Sequence, residues 1–593
     1  MRTELSRQAR ASRTHSGIGA SAGVCIGPAR LIEASGLDVA ERTLPQRAVA
    51  AEQERFQAAV ERARAEVEGL AQRAGPLPES ARQELAFLLE AQLQMLAGSR
   101  LVRGVYRRIA ETRVNAEAAV KTELSAIAEA FAAMHDPYLS ARAQDVREVA
   151  LRLIRQLTAE PERGFADLPE GAVLIAEELT PADIALLARG RIAGFATEFG
   201  GPQGHTAIMA RSLALPAVVG VPALMHRVKA GETVVIDGTR GQVIVDPDAA
   251  TVAAVRRRRS ARKRDQRVLA KLRDLPAETR DGQVISLQAN LELPAELAQA
   301  TAAGAEGIGL LRTEFLYMNR DTVPDADEQY AALSRIVTAM GGRPVTVRTL
   351  DIGTDKLADA LARDAATDVG ANPALGLRAI RLSLRHRKLL EDQLEAMLRA
   401  AAHGPVRILL PMITVGSEVR QTRAVLRRVA RRLARRGVAL PESLPPLGAM
   451  VEIPAAALAA EALVRDCDFI SIGTNDLTMY TLAVDRGDEH VAELYDPLHP
   501  AVLRLVQYAA EAAKRARVPV NLCGEIAGDV RYTALLIGLG LEDLSMAAAS
   551  LPAVKRRIRA LDAGKARSLA AQVMRRNEAR QIATLIDAFN DAL

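Results

Sequence analysis

Tryptophan is absent from the 593-residue chain and aromatic side chains make up only 3% of it. Stacking platforms for single-stranded nucleic acid are therefore scarce, and nucleic acid is not expected as a main partner. The formal charge of +6 is modest for this length and supports the same exclusion. Long apolar runs are missing too: segments such as 171–175 and 216–220 fall far short of the roughly 18 residues of a spanning helix, so no membrane insertion is expected. Cysteine occurs three times, at Cys25, Cys467 and Cys523. Widely separated and odd in number, these thiols indicate neither a disulfide framework nor a zinc site and suit a reducing, cytoplasmic setting. Arg2, Arg7, Arg10 and Arg13 have no apolar stretch behind them, so no secretory signal is visible.

What is plentiful is the stuff of soluble cores: 49% of residues are hydrophobic and 25% charged. The length predicts two to four domains. Residues 1–16 read as a polar tail. Short strand-like segments at 22–31, 172–175, 194–197 and 233–245 flank an Ala-, Glu-, Arg- and Leu-rich stretch with helical periodicity, predicting an α/β domain (17–40 with 160–250) interrupted by a helical bundle (41–159). The Pro-free, arginine-rich segment 251–275 reads as a helical linker whose basic run is a solvated face.

From 276 to 593 apolar strands alternate with helical segments, at 284–289, 307–311, 345–349, 406–410, 448–451, 469–472, 518–522 and 541–545. Eight such units predict a closed (β/α)8 TIM-type barrel, whose functional groups belong just after the strands' C-terminal ends. There the sequence places Asn290, Arg312, Arg348 with Asp351, Pro411 with Met412, Glu452, Asn475 with Asp476, Cys523 and Ser545.

Arg312, Arg348 and Arg486 match phosphate and carboxylate oxygens bidentately, which points to a small substrate with more than one anionic group. Glu452 and Asp476 are hard oxygen ligands suited to Mg²⁺. In Gly200-Gly201-Pro202-Gln203-Gly204-His205 a glycine-rich turn feeds a helix, whose positive end favours phosphate and disfavours imidazolium. His205 is then a neutral nucleophile, with Arg211 farther along the helix for an attached phosphoryl group. From these residues alone the structural and the chemical readings of His205 stand level. Cys523 likewise reads either as a core thiol or as a reactive group at a strand end.

The stretch around His205, together with 310–315, Arg348-Thr349-Leu350-Asp351-Ile352-Gly353-Thr354-Asp355-Lys356, Met450-Val451-Glu452-Ile453-Pro454-Ala455, 471–477 and Leu522-Cys523-Gly524-Glu525, resembles the motifs of the phosphoenolpyruvate-utilising family, in order and over nearly the whole chain from about Gly17. The resemblance implies a phosphohistidine α/β domain and a phosphoenolpyruvate-binding barrel. It implies that phosphate passes from phosphoenolpyruvate to His205 and on to the carrier protein HPr, releasing pyruvate. It also implies Glu452 and Asp476 as Mg²⁺ ligands, and Cys523 as the acid that protonates the enolate carbon. Arg312, Arg348, Asn475 and Arg486 would hold the substrate, with Lys356 and Arg378 as further contacts. Thr180 would hydrogen-bond the histidine, the helical insert would dock HPr, and the barrel would form a homodimer. The domain carrying His205 would swing about a hinge near 247–276. The chain departs from the family pattern at Phe199, Gln203 and Gly204 before the histidine, at Ala371, and at Gln92, where a histidine is common among the docking helices. These departures leave a second reading, a catalytically weakened regulatory relative acting mainly by binding carrier proteins. A dikinase-type relative would need a large ATP-binding domain for which no stretch remains.

Overall fold

A computed structural model of the chain describes every residue except 1–11, 33–38, 74–84, 86–88, 90, 91, 94, 98, 99, 133–136, 159–167, 181, 182, 185–191, 202–204, 214, 318–321, 354–371, 373 and 486–490. The chain forms two compact units, residues 1–264 and 265–593.

The first unit is built on a mixed sheet of eight strands: β1 (Arg13–Ser16), β2 (Ile18–Ser21), β3 (Val24–Ile32), β4 (Ala172–Ala176), β5 (Ile192–Thr197), β6 (Ala217–Val219), β7 (Thr233–Asp237) and β8 (Gln242–Val245). Its order is β1-β8-β7-β3-β4-β5-β6-β2, with β3 to β6 parallel. The central β4 reads Ala-Val-Leu-Ile-Ala and is buried at every position, the pattern of a strand covered on both faces. The stretch read as a polar tail is corrected at its end. Arg13 to Ser16 pair antiparallel with β8 as an edge strand, where a polar sequence carries no apolar alternation to announce it. The short strands β2 and β6 were not anticipated either.

Between β3 and β4 lie the helices Val49–Arg73, Arg100–Thr112, Ala116–Ala132 and Pro137–Thr158. Phe56, Val105, Ile109 and Leu153 fill their core. Charges inside it are paired: Glu117 takes the Arg55 guanidinium and, at 2.9 Å, the Asn115 amide. Gln92 is buried as well, donating to Glu148 Oε2 at 2.9 Å and accepting from Arg152 Nη2 at 3.3 Å. Both ends of its amide are therefore occupied inside the bundle rather than displayed on a docking face. Residues 249–270 form the helix Ala249–Ala270, where Arg258 pairs with Asp237 at 2.6 Å.

The second unit is a closed barrel of β9 (Ser286–Leu291), β10 (Ile308–Leu311), β11 (Val345–Arg348), β12 (Val406–Leu410), β13 (Leu447–Val451), β14 (Phe469–Ile472), β15 (Val520–Leu522) and β16 (Asp543–Ala547). All eight pairings are parallel, and β16 returns to β9. Each expected strand is present. The first begins later than its apolar run because Val284 bridges back to Glu278 before the chain enters the barrel. Amphipathic helices such as Gly416–Arg435 and Pro500–Ala516 bury Val, Leu and Ala faces against the strands and turn arginines outward.

Candidate active site

The C-terminal ends of the strands bring together four carboxylates, Glu314, Asp351, Glu452 and Asp476, and two guanidinium groups. Arg348, the last residue of β11, is 7% exposed. Its Nη2 meets Glu314 Oε1 at 2.9 Å and its Nη1 meets Asp351 Oδ2 at 3.1 Å. Arg378 holds the other Asp351 oxygen at 2.9 Å. Although burial alone would raise the Asp351 carboxyl, Arg348 and Arg378 hold it below the ordinary aspartate range. Burial opposes the charge on Arg348, but Glu314 and Asp351 overcome it and keep the guanidinium protonated.

Glu452 follows β13 and is 1% exposed. Its Oε1 accepts the Met412 N–H at 2.5 Å, a donor aimed inward because Met412 takes the left-handed φ of 56° at the end of β12. Its Oε2 is buried with no partner among the described residues. Burial, then Asp351 and Asp476, push the Glu452 carboxyl well above its usual range. Carboxylate oxygens of Asp351, Glu452 and Asp476 all lie within 4.8 Å of one another. Three hard oxygen donors around an unsatisfied buried oxygen fit a divalent cation such as Mg²⁺, which takes one or two carboxylates and completes its shell with water and substrate. Asp351 already gives both oxygens to arginines, so Glu452 and Asp476 have the freer lone pairs.

Beside this cluster a cavity of about 780 Å³ is lined by Asn290, Arg312, Asn475, Cys523 and Gly524 among others. Arg312 pairs with Glu292 at its rim. Asn475 exchanges two hydrogen bonds with Glu525, to Oε1 at 2.9 Å and from its backbone N–H at 3.0 Å. Cys523 is 5% exposed, and burial pushes its thiol up to about 11, with Ser471 pulling the other way. The thiol is thus protonated at neutral pH, the state a proton donor needs. Cys25 and Cys467, both pushed to about 12 by burial, are packing thiols. Only glycine fits at 524, because a Cβ there would stand 1.7 Å from Thr474 Oγ1.

His205 opens the helix His205–Ser212 on the first unit. Gly200, in the turn before it, has φ 115°. Thr206 donates to the Leu179 carbonyl at 2.5 Å, tying the helix start to the loop of Thr180. Thr180 itself is engaged in a reciprocal turn: its N–H donates to Asp183 Oδ2 at 2.9 Å and its hydroxyl accepts from Asp183 N at 3.1 Å. Arg211 donates to the Ala20 carbonyl at 3.1 Å, which anchors the helix to β2. The site positions Lys356 and Arg486 lie outside the described residues, as do Gln203, Gly204 and Ala371. The sequence places Asp351 at a strand end without giving it a role, and it does not single out Glu314, the partner of Arg348. Both stand within the quoted motifs, and the signal was their distance of three and two residues from an arginine at a strand end.

The chain matches the family models for the N-terminal domain (16–142), the mobile domain (168–241) and the PEP-binding domain (266–563) of PEP-utilising enzymes. It belongs to the PEP-utilising enzyme family. Relatives aligned over nearly its full length are phosphoenolpyruvate-protein phosphotransferases. That of Cupriavidus necator is 44% identical over 91% of this chain and 93% of its own, and that of Bacillus subtilis is 38% identical over 96% and 98%. That of Haemophilus influenzae is 37% identical over 97% and 98%.

Proposed function

We propose that the protein transfers the phosphoryl group of phosphoenolpyruvate to His205 and then to the carrier protein HPr, releasing pyruvate. The observation that carries this reading is the convergence of Arg348, Glu452, Asp476 and the protonated thiol of Cys523 at one barrel mouth. Arg312, Arg348, Asn475 and Arg486, with Lys356 and Arg378, hold the phosphate and carboxylate of the substrate. Mg²⁺ held by Glu452 and Asp476 would neutralise charge that develops as the phosphoryl group leaves. The bond from phosphorus to the enol oxygen breaks as the bond to the His205 imidazole forms. Cys523 then gives its proton to the methylene carbon of the enolate.

His205 and the barrel mouth belong to separate compact units, so the histidine must approach the barrel for one half-reaction and HPr for the other, with 247–276 as the hinge region. The helical insert is the docking surface for HPr, the barrel is the homodimer interface, and the cytoplasm is the setting. Incubation with phosphoenolpyruvate, Mg²⁺ and HPr, followed by mass spectrometry at alkaline pH, tests the reading. Phosphate is expected on His205 and on HPr with release of pyruvate. A His205→Ala protein that still took phosphate from phosphoenolpyruvate at another residue would overturn it.

A further inference from the structure

Barrel interiors are ordinarily filled by layers of bulky apolar side chains. One part of this interior follows the rule: Leu310, Leu409, Met450 and Phe469 pack together with Cys523. The part formed by β14, β15, β16 and β9, consecutive neighbours around the barrel, is polar instead. Gln288 Nε2 donates to both Asp543 oxygens at 2.8 and 2.7 Å, and Asn521 Nδ2 donates to Asp543 Oδ1 at 3.0 Å. Ser471 Oγ lies 3.0 Å from Asn521 Oδ1 and 3.3 Å from Cys523 Sγ. Ser471, Asn521 and Cys523 are all buried. A closed barrel does not require such a chain, and burying it is costly unless each link is satisfied.

Counting protons gives the chain a direction. The bond to Asp543 orients the Asn521 amide so that Oδ1, which can only accept, faces Ser471. While the thiol is protonated the Ser471 hydroxyl therefore donates to Asn521, and the Cys523 S–H has the Ile472 carbonyl as its acceptor at 3.8 Å. With the thiol protonated, every link has its proton. Once sulfur is charged, one hydroxyl proton is claimed by both Asn521 Oδ1 and the thiolate. It turns to the charge, because a hydrogen bond to an ionised partner is the stronger one.

We propose that Ser471 is a positioning residue for proton delivery by Cys523, held toward Asn521 at rest and donating to the thiolate after transfer, with Asn521 and Asp543 setting the direction of the chain. The inference rests on Cys523 being the proton donor. In the step the S–H bond breaks, the enolate π pair forms the new C–H bond at the methylene carbon, and the negative charge passes to sulfur. Water later returns a proton to the thiolate.

The test uses the full-length protein with Mg²⁺, phosphoenolpyruvate and HPr. Ser471→Ala is expected to lower kcat for pyruvate formation about tenfold, the loss of one hydrogen bond to a charged group, with KM for phosphoenolpyruvate unchanged. Ser471→Thr, which keeps the hydroxyl, restores the rate. In a Cys523→Ala background the Ser471→Ala change should add no further loss, whereas a merely structural role would lower both backgrounds alike. A second readout is alkylation of Cys523 by iodoacetamide at about pH 8, followed by peptide mass spectrometry, since only the thiolate reacts. Ser471→Ala slows this reaction and Asn521→Ala, which frees the hydroxyl for sulfur, speeds it. Equal losses in both backgrounds, or alkylation shifts of the same sign in the two variants, would overturn the proposal. A Cys523→Ala protein with undiminished pyruvate formation would instead refute the assignment of Cys523 itself. An inactive Cys523→Ala protein beside an unaffected Ser471→Ala protein would refute only the role of Ser471.

Discussion

Replacing Arg348 with methionine removes the cation around which the site's carboxylates are arranged, and its consequences separate chemistry from stability. Arg348 bridges Glu314 at 2.9 Å and Asp351 at 3.1 Å from a position 7% exposed. Removing one partner of a buried ion pair costs about 3–5 kcal/mol, because the other charge is left in a poor environment. Neither carboxylate is wholly abandoned here. Asp351 keeps Arg378 at 2.9 Å, and Glu314 Oε1 keeps the Asp351 N–H at 3.0 Å. The lower end, about 3 kcal/mol, is therefore expected, which for a unit of this size lowers Tm by roughly 5 °C. Activity should fall further than stability predicts, with kcat/KM down by about 10²–10³ for loss of an oriented charge at a reacting phosphate. Arg348→Lys should regain much of the stability and little of the activity, since a point charge cannot reproduce the two-pronged geometry. Scanning calorimetry and a coupled pyruvate assay on the three proteins read both effects. Full activity in a destabilised Arg348→Met protein would show that Arg348 only builds the barrel mouth, and an unchanged Tm would refute the ion-pair argument.

Asp351→Asn should weaken Mg²⁺ binding even though the pair Glu452 and Asp476 remains. If the loss is about tenfold, the stabilisation seen at a Mg²⁺ concentration of 100 Kd falls from about 2.7 to about 1.4 kcal/mol, measurable as a smaller thermal shift. Asp281 accepts the Ala563 N–H at 2.8 Å and the Thr279 hydroxyl at 2.7 Å, and these hold its carboxyl at about 2. Because the folded value lies below the unfolded one, near about 3.9, its stabilisation is present above that pH and is lost as the pH falls toward 2. Asp281→Asn should accordingly melt lower than the wild type at neutral pH, with the gap closing below about pH 4. Gln92→Ala should remove two hydrogen bonds to charged partners, although Arg152 keeps its pair with Glu66, and cost about 1–3 kcal/mol, read as a lower denaturation midpoint of the first unit.

Much of this protein was legible in one dimension. Strand β4 and the eight barrel strands announce themselves because a strand covered on both faces must be continuously apolar, and turn residues bound each run. The rule that barrel chemistry follows strand ends picks out Arg348, Glu452, Asp476 and Cys523 from the sequence alone. Edge strands such as β1 were not legible, because solvent on one side removes the apolar pattern that periodicity detects. Gln92 could be placed in the helical insert by sequence but not recognised as an interior residue, since its burial depends on Glu148 and Arg152 arriving from another helix.

The sequence by itself determined which elements form, in what order, and which reactive side chains stand at strand ends, since these follow from local propensity and a repeating hydrophobic pattern. Only the tertiary structure decided which charges meet. Asp351 joins Glu452 and Asp476, and Asn290 reaches the Cys523 carbonyl across 233 residues of chain, because closure of the barrel places distant strand ends side by side. Electrostatic and hydrogen-bond energies depend on separations of a few ångströms in space, and linear order carries no measure of those.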